Sequence, residues 1–290
     1  MSLRFLRALL VLGRVSNLPT VWSNCLAGWL LGGDTNYRSL GFVLAGATLL
    51  YIGGMFLNDA FDVEFDRAHR TERPIPMGAI SVGTVWLFGL AWLLLGAGCL
   101  FWVDSGTGLI GLALLLCIVI YDWLHKRISF GPFIMGACRM LVYVVAASSG
   151  AQGVTGWAVW SGLALGLYVV GLSYLARGES RPAPEQSGLL RYWPLLLLVT
   201  PVVLAFLLNA GDYRQGSLLI GAILVIWATK SLRYTLWAGV PAVGRTVSGL
   251  LAGIVLVDWL AVCYLPRDWG FIFIGCFLGA LLFQKFVPAT

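Results

Sequence analysis

The stretch Asn58-Asp59-Ala60-Phe61-Asp62-Val63-Glu64-Phe65-Asp66-Arg67 gathers oxygen donors in a chain otherwise poor in charge. On a helix, Asn58, Asp62 and Asp66 stand at i, i+4 and i+8, drifting about 40° per step, with Asp59 just beyond the same arc. Four oxygen-bearing side chains then share one face, and Glu64 points elsewhere. Carboxylates aligned in this way repel one another, on the order of a few tenths of a kcal/mol per pair on an exposed helix, so the face needs a cation. Hard oxygen ligands with few protein contacts suit Mg²⁺, which keeps waters and shares its remaining sites with phosphate. Arg67, Arg70 and Arg73 follow at once, able to hold outer phosphate oxygens through bidentate contacts, and Pro74-Ile75-Pro76 ends the helix. The alternative is a solvated acidic helix end balanced by nearby arginines.

The elements that must carry this face are membrane helices. Of the 290 residues 59% are apolar and 11% charged, against about 25% charged in a soluble domain. Apolar segments long enough to cross a hydrocarbon core ~30 Å thick recur near 12–32, 39–57, 82–103, 107–124, 131–150, 154–176, 191–209, 216–237, 245–264 and 269–287. The last two are the weakest, so the pattern predicts nine to ten spans. Backbone polar groups in lipid must be satisfied within each segment, which leaves helices. The expectation is an all-α polytopic membrane protein with a single domain over 1–290, since no polar stretch has room for a second. The segment Met1 to Leu12 carries two arginines and an apolar run without an A-x-A site, and is read as leading into an uncleaved first span.

Basic residues orient the spans. One set of loops holds Arg4, Arg7, Arg14, Arg67, Arg70, Arg73, Lys126, Arg127, Arg177, Arg181, Arg191, Lys230, Arg233, Arg245 and Lys285, whereas the opposite set holds Arg38, Arg214 and Arg267. The carboxylate face therefore lies on the side expected to be cytoplasmic. The net charge of +6 is a topology signal, and no nucleic-acid or obligate protein partner is expected. The six cysteines stand singly in apolar segments without metal-ligand spacing and read as packing residues. Arg139 and Asp258 fall inside spans, where ionisable groups face a cavity or a partner; Arg139 lies within reach of a cytoplasmic-side cavity, and Asp258 is expected to pair with another helix. Asn17 and Asn24 share a helix face, either lining an acceptor pocket or bonding across helices.

The run Asn58-Asp59-x-x-Asp62-x-x-x-Asp66-Arg67, followed by Arg70, Arg73-Pro74-Ile75-Pro76 and Gly78, resembles the first aspartate-rich motif of the UbiA superfamily of intramembrane prenyltransferases. Tyr121-x-x-x-x-Lys126-Arg127 resembles that family's Tyr/Lys-Arg element, and Arg14, Asn17 and Gly28 extend the resemblance into the first span. It implies a helical bundle around a cytoplasmic-side cavity, an isoprenoid diphosphate donor, a small-molecule acceptor and a Mg²⁺ cofactor. It implies that Asn58 and Asp62 ligand the metal, with Asp59 and Asp66 in support, and that Asp62, Asp66 and Tyr121 serve catalysis. Arg14, Arg67, Arg70, Lys126, Arg127 and Arg177 would neutralise diphosphate, and Asn17, Asn24 and Arg139 would line the acceptor site. Read without the family, Tyr121 is an interfacial aromatic and Lys126-Arg127 a topological anchor. An integral protein of a bacterial inner membrane is the expected setting.

The chain departs from the family where a second aspartate-rich motif is expected after the sixth span. It reads Tyr174-Leu175-Ala176-Arg177-Gly178-Glu179-Ser180-Arg181, with Glu179 as the nearest carboxylate. Three readings stay open: Glu179 holds a second metal, the site uses one metal, or catalysis has been lost. A degenerate second motif resembles the Ebo-type branch of UbiA-like proteins, which would admit a polar acceptor such as a cyclitol. A terpene cyclase of the same fold, which ring-closes the donor without an acceptor, and a transporter are the rival expectations.

Overall fold

The computed structural model describes residues 3–33, 36–180, 192–208, 213–238, 242–266 and 268–288; the side chains of 3, 178–180 and 213–214 lie outside that description. The described residues hold twelve α-helices and the 3-10 turn Val15–Asn17, joined by turns and loops: α1 (Leu3–Leu12), α2 (Leu18–Leu31), α3 (Tyr37–Phe61), α4 (Val63–His69), α5 (Val82–Val103) and α6 (Ser105–Leu124). The chain continues with α7 (Gly131–Ser148), α8 (Gly156–Ser180), α9 (Trp193–Leu208), α10 (Tyr213–Leu236), α11 (Val243–Ala261) and α12 (Asp268–Phe283). Nine of the ten expected segments, all but the first, each fall on one helix, α3 and α5 to α12. Seven of these are long and apolar enough to cross a membrane on their own (α3, α5, α6, α7, α8, α10 and α11), while α9 and α12 are shorter apolar helices. The protein is an integral membrane protein of all-helical fold.

Local sequence fixes the helix starts. Asn36 caps α3 by accepting from the Arg38 and Ser39 amides, Ser81 caps α5 from Thr84, and Asp104 caps α6 from Thr107, each satisfying donors that the first turn leaves open. The expected first span is corrected by the structure. Residues 12–32 do not form one helix: α1 ends at Leu12, a 3-10 turn covers Val15–Asn17, and α2 begins at Leu18 with Pro19 in its first turn. At the break Arg14 has φ 41°, and among the described residues it alone combines a positive φ with a side chain. The left-handed region is costly for such a residue.

Glycines allow the helices to meet at backbone distance, as membrane bundles require. A Cβ on Gly53 of α3 would stand 2.9 Å from the Gly89 carbonyl oxygen of α5, and one on Gly136 of α7 2.6 Å from that of Gly166 on α8. The interior between α2, α7, α8 and α11 is filled by Trp29, Tyr143, Tyr168, Leu165 and Leu250, all fully buried. The outward faces remain apolar, with Leu94 and Trp102 on α5 and Leu207 on α9 each more than two-thirds exposed, as a bilayer solvent demands. A smaller core of Leu12, Phe56, Ile75, Ile80 and Val85 lies at the other end of α3 from its cap. Through Ile75 and Ile80 it draws the 70–81 loop back over the bundle.

Candidate active site

The aspartate-bearing end of α3 keeps its face through a bend. The shared face is read from the sequence on the condition that the helix continues through 58–67; in the structure α3 ends at Phe61 and Asp62 (φ −87°, ψ 0°) separates it from α4. The amide ladder nevertheless runs on, from Asp62 N to Asn58 O at 3.0 Å, Asp66 N to Asp62 O at 2.9 Å and Arg70 N to Asp66 O at 2.8 Å. Asn58, Asp59, Asp62 and Asp66 are therefore all buried on one side, and Glu64 is exposed.

Cations from three parts of the chain meet this face. Arg14, held in its left-handed turn, donates to Asn58 Oδ1 at 3.4 Å and to Asp59 Oδ1 at 3.3 Å. Arg73 donates to the same Asp59 oxygen at 2.9 Å, placed there by Ile75, two residues along and buried in the smaller core. Lys126 Nζ stands 2.8 Å from Asp62 Oδ1, and His125 Nε2 3.5 Å from Asp62 Oδ2. Lys126 also sits 3.9 Å above the Phe65 ring, a cation–π contact that fixes the head group. Burial works to raise the Asp62 carboxyl, but hydrogen bonds from His125 and Lys126 and their charges outweigh it and hold Asp62 below the ordinary carboxylate range. Asp66 goes the other way: burial pushes it up, Arg73 pulls against this, and Asp59 and Asp62 add repulsion.

Asp122 and His125 are site residues that the sequence reading missed. Asp122, on the last turn of α6, is buried and accepts from Asn58 Nδ2 at 3.1 Å. His125 stacks on Tyr121 at 5.0 Å between ring centres. The signal available was spacing: Tyr121 and His125, and Asp122 and Lys126, each stand at i, i+4 on the helix end.

Beside this cluster opens a cavity of about 650 Å³, within the range of small-molecule sites. Arg14, Arg70, Glu72, Arg73, Tyr121, Asp122, His125 and Arg177 line its mouth, and Leu50, Leu114, Ile118, Met135, Val142, Val169 and Ile254 line its apolar interior. Asn17, Tyr51 and Arg139 add polar groups to the inner wall. Not all of the expected residues face this space. Arg67 and Arg127 are exposed, Arg127 lying over the Trp123 ring at 5.7 Å. Arg177 donates to the carbonyls of His125, Ile128 and Ser129, so it ties the end of α6 to α8. Asn24 is not on the cavity wall; it bonds Asp258. Glu179 lies in the last turn of α8, and its side chain is outside the described residues.

The donor set suits Mg²⁺. Among the described residues no three His, Cys, Asp or Glu side chains converge as a ready-made metal cage. Mg²⁺ does not need one, because it relies on one or two carboxylates together with waters and substrate phosphate. Two carboxylate oxygens, Asp66 Oδ1 and Asp122 Oδ2, are buried and accept no hydrogen bond. Such orphaned acceptors are costly and fit a site that receives a cation.

Solved structures share this fold. A UbiA homolog from Aeropyrum pernix K1 superposes with a TM-score of 0.65 at 16% identity, over 87% of this chain and 98% of that one. A UbiA homolog from Archaeoglobus fulgidus bound to GPP and Mg²⁺ gives 0.62 at 16% identity, over 89% and 98%. In sequence, the digeranylgeranylglyceryl phosphate synthase of Sulfolobus acidocaldarius is 28% identical over 47% of this chain and 50% of the relative. That of Ignicoccus hospitalis is 38% identical over 31% of this chain and 30% of the relative. The chain thus matches half or less of the length of these two relatives. The model of the UbiA prenyltransferase family matches residues 16–233, most of the chain, and the protein belongs to that family.

Proposed function

We propose that the protein transfers a prenyl group from an isoprenoid diphosphate to a small-molecule acceptor inside the membrane, with Mg²⁺ held at the aspartate face. The observation that carries this reading is the junction of two environments. A mouth lined by Arg14, Arg70, Arg73 and His125, with buried carboxylates beside it, opens directly into an apolar cavity. A diphosphate fits the first and a prenyl tail the second. The Archaeoglobus fulgidus homolog, bound to GPP and Mg²⁺, supports the same assignment, as do relatives whose name places geranylgeranyl groups on a glyceryl phosphate.

Asn58, Asp59, Asp62 and Asp66 would hold the metal, and Asp122 orients Asn58 for it. Bound there, Mg²⁺ would neutralise charge on the leaving diphosphate. The protein's own cations do the rest. Arg14, Arg73 and Lys126 are paired with Asp59 and Asp62 in this structure; a diphosphate takes over these partners and meets donors already in place, which favours the departing charge. The bond between the prenyl C1 and the diphosphate oxygen breaks. The aromatic faces of Tyr121 and Tyr51 on the cavity wall stabilise the allylic cation, and the apolar lining keeps water from it. The acceptor's nucleophilic atom bonds C1 and gives up its proton to bulk water through the mouth. The excess of basic residues in the loops at this end supports a mouth on the cytoplasmic side.

Purified protein in detergent should release diphosphate from geranylgeranyl diphosphate with Mg²⁺, faster in the presence of an acceptor. Release without dependence on any acceptor, with a cyclic hydrocarbon product, would replace transfer by cyclisation. No release from any donor length would leave binding without turnover, the outcome that the altered 174–181 segment makes specific to this chain.

A further inference from the structure

We infer that the joined ends of α10 and α11 bind the headgroup of an anionic phospholipid, through Lys230, Arg233 and Arg245 gathered around Tyr234. None of these four residues lines the cavity, and the site is independent of the transfer reaction.

Hydrogen bonds lock the two helix ends in register. Trp227 Nε1 donates to Gly249 O at 2.7 Å, Thr246 Oγ1 to Ser231 O at 2.9 Å, and the Ala242 amide to Tyr234 O at 2.8 Å. Two arginines from different helices therefore reach one ring. The guanidinium carbons of Arg233 and Arg245 stand 4.9 Å and 5.8 Å from the centre of Tyr234, and Arg233 Nη2 donates to the Tyr234 hydroxyl at 3.1 Å. Lys230, one turn before Tyr234, lies 5.3 Å from the Trp227 ring. Aromatic faces hold these head groups without neutralising them. The end of α12 brings a fourth cation to the same place. Gln284 Nε2 donates to Ser248 O at 3.1 Å, one turn along α11 from Arg245, and Lys285 is the next residue.

These cations have no counter-charge. The sequence has no Asp or Glu between Asp212 and Asp258, and none beyond Asp268. Among the described residues Lys230, Arg233, Arg245 and Lys285 form no ion pair, whereas Arg14, Arg73 and Lys126 at the cavity mouth all pair with carboxylates. All four are exposed. The Arg245 guanidinium has no protein acceptor among the described residues, and its fork matches a phosphate.

The surroundings select a lipid over a free phosphate. Trp237, one turn beyond Arg233, is 68% exposed, and Phe286, beside Lys285, is 72% exposed. Aromatic residues so placed at helix ends sit at headgroup level, where basic clusters recognise anionic lipid. Below Lys230, the residues Ile226, Ile223 and Leu219 stand at i−4, i−7 and i−11 on one face of α10, and all three are exposed. An acyl chain lies along that stripe while its phosphate meets the cations.

The test is lipid binding to the full-length protein purified in detergent, titrated with phosphatidylglycerol or with zwitterionic phosphatidylcholine of the same chains and read by native mass spectrometry. Phosphatidylglycerol should bind at least about tenfold more tightly, as charge-assisted contacts to its phosphate imply. The double variant Arg233→Gln/Arg245→Gln should reduce that preference to about twofold or less. Arg4→Gln/Arg7→Gln removes the same charge from exposed positions of α1 and should leave the preference within about twofold of the wild type. Excess glycerol phosphate should not displace the lipid. Equal binding of the two lipids by the wild type, a comparison that needs no variant to fold, would overturn the inference. So would a preference that survives Arg233→Gln/Arg245→Gln, or one that falls equally in both double variants and thus follows net charge alone. Displacement by glycerol phosphate at the lipid's own concentration would assign the cations to free phosphate and overturn the lipid site.

Discussion

Asn58 Nδ2 donates to Asp122 Oδ1 at 3.1 Å, a bond that joins the end of α6 to the carboxylate face of α3. It leaves Asn58 Oδ1 turned toward Arg14 and the second Asp122 oxygen without a partner. The amide proposed to hold the metal is thus oriented by a carboxylate on another helix, the arrangement by which outer partners tune metal sites.

Replacing Asp122 by Asn keeps the shape but removes the charge and lets the amides of 58 and 122 reorient. The Mg²⁺ concentration for half-maximal diphosphate release should rise by about tenfold, read from a Mg²⁺ titration at saturating donor. An unchanged titration would mean that Asp122 does not act through Asn58.

Asp62 sits where α3 bends into α4 and faces both His125 and Lys126. Asp62→Ala should lower turnover by at least about a hundredfold, while circular dichroism and gel filtration remain those of the wild type. Turnover near normal would remove Asp62 from the metal site.

Two arginines beyond the carboxylate face, Arg67 on α4 and Arg73 in the loop after it, should separate cleanly. Arg73 reaches Asp59 and the cavity mouth, whereas Arg67 is exposed. Arg73→Ala should weaken donor binding by about tenfold or more, as expected for a charge-assisted contact, and Arg67→Ala should leave it within about twofold, as for an exposed charge. Equal effects would show that the loop closes differently on the donor.

Gly28 of α2 lies against α7, and a Cβ there would stand 2.6 Å from the Tyr143 carbonyl oxygen and 2.9 Å from Ala146 Cβ. Gly28→Ala should force the helices apart at a cost of about 1–3 kcal/mol. A thermal melt in detergent should show a lower midpoint than the wild type; a melt at the wild-type midpoint would mean that the contact relaxes without cost.

Much of this architecture is legible in the sequence because lipid imposes long apolar helices and because i, i+4 spacing survives a bend. The carboxylate face is such a case: Asp62 kinks the backbone, yet the ladder from Asn58 to Arg70 keeps Asp59, Asp62 and Asp66 together. The break at Gly13–Arg14 was hidden, since arginine gives no signal for a left-handed residue. The contrast between Arg67 and Arg73 was equally hidden, because it depends on Ile75 and Ile80 packing against Phe56 far back along the chain. Asp122 stands alone at the end of an apolar run, and only the packing of α6 on α3 gives it a partner. Asn24 and Asn17 share a face in sequence, but Asp258 takes the first while the cavity takes the second.

The account rests most heavily on joint binding of metal and diphosphate at the aspartate face. The measurement that tests it most directly is calorimetric titration of the wild-type protein with geranylgeranyl thiolodiphosphate, a donor that turns over poorly, in Mg²⁺ and again after chelation. Binding at about one equivalent in Mg²⁺, lost on chelation and in Asp62→Ala, is the predicted result. Binding that is indifferent to both, or no binding at all, would contradict it.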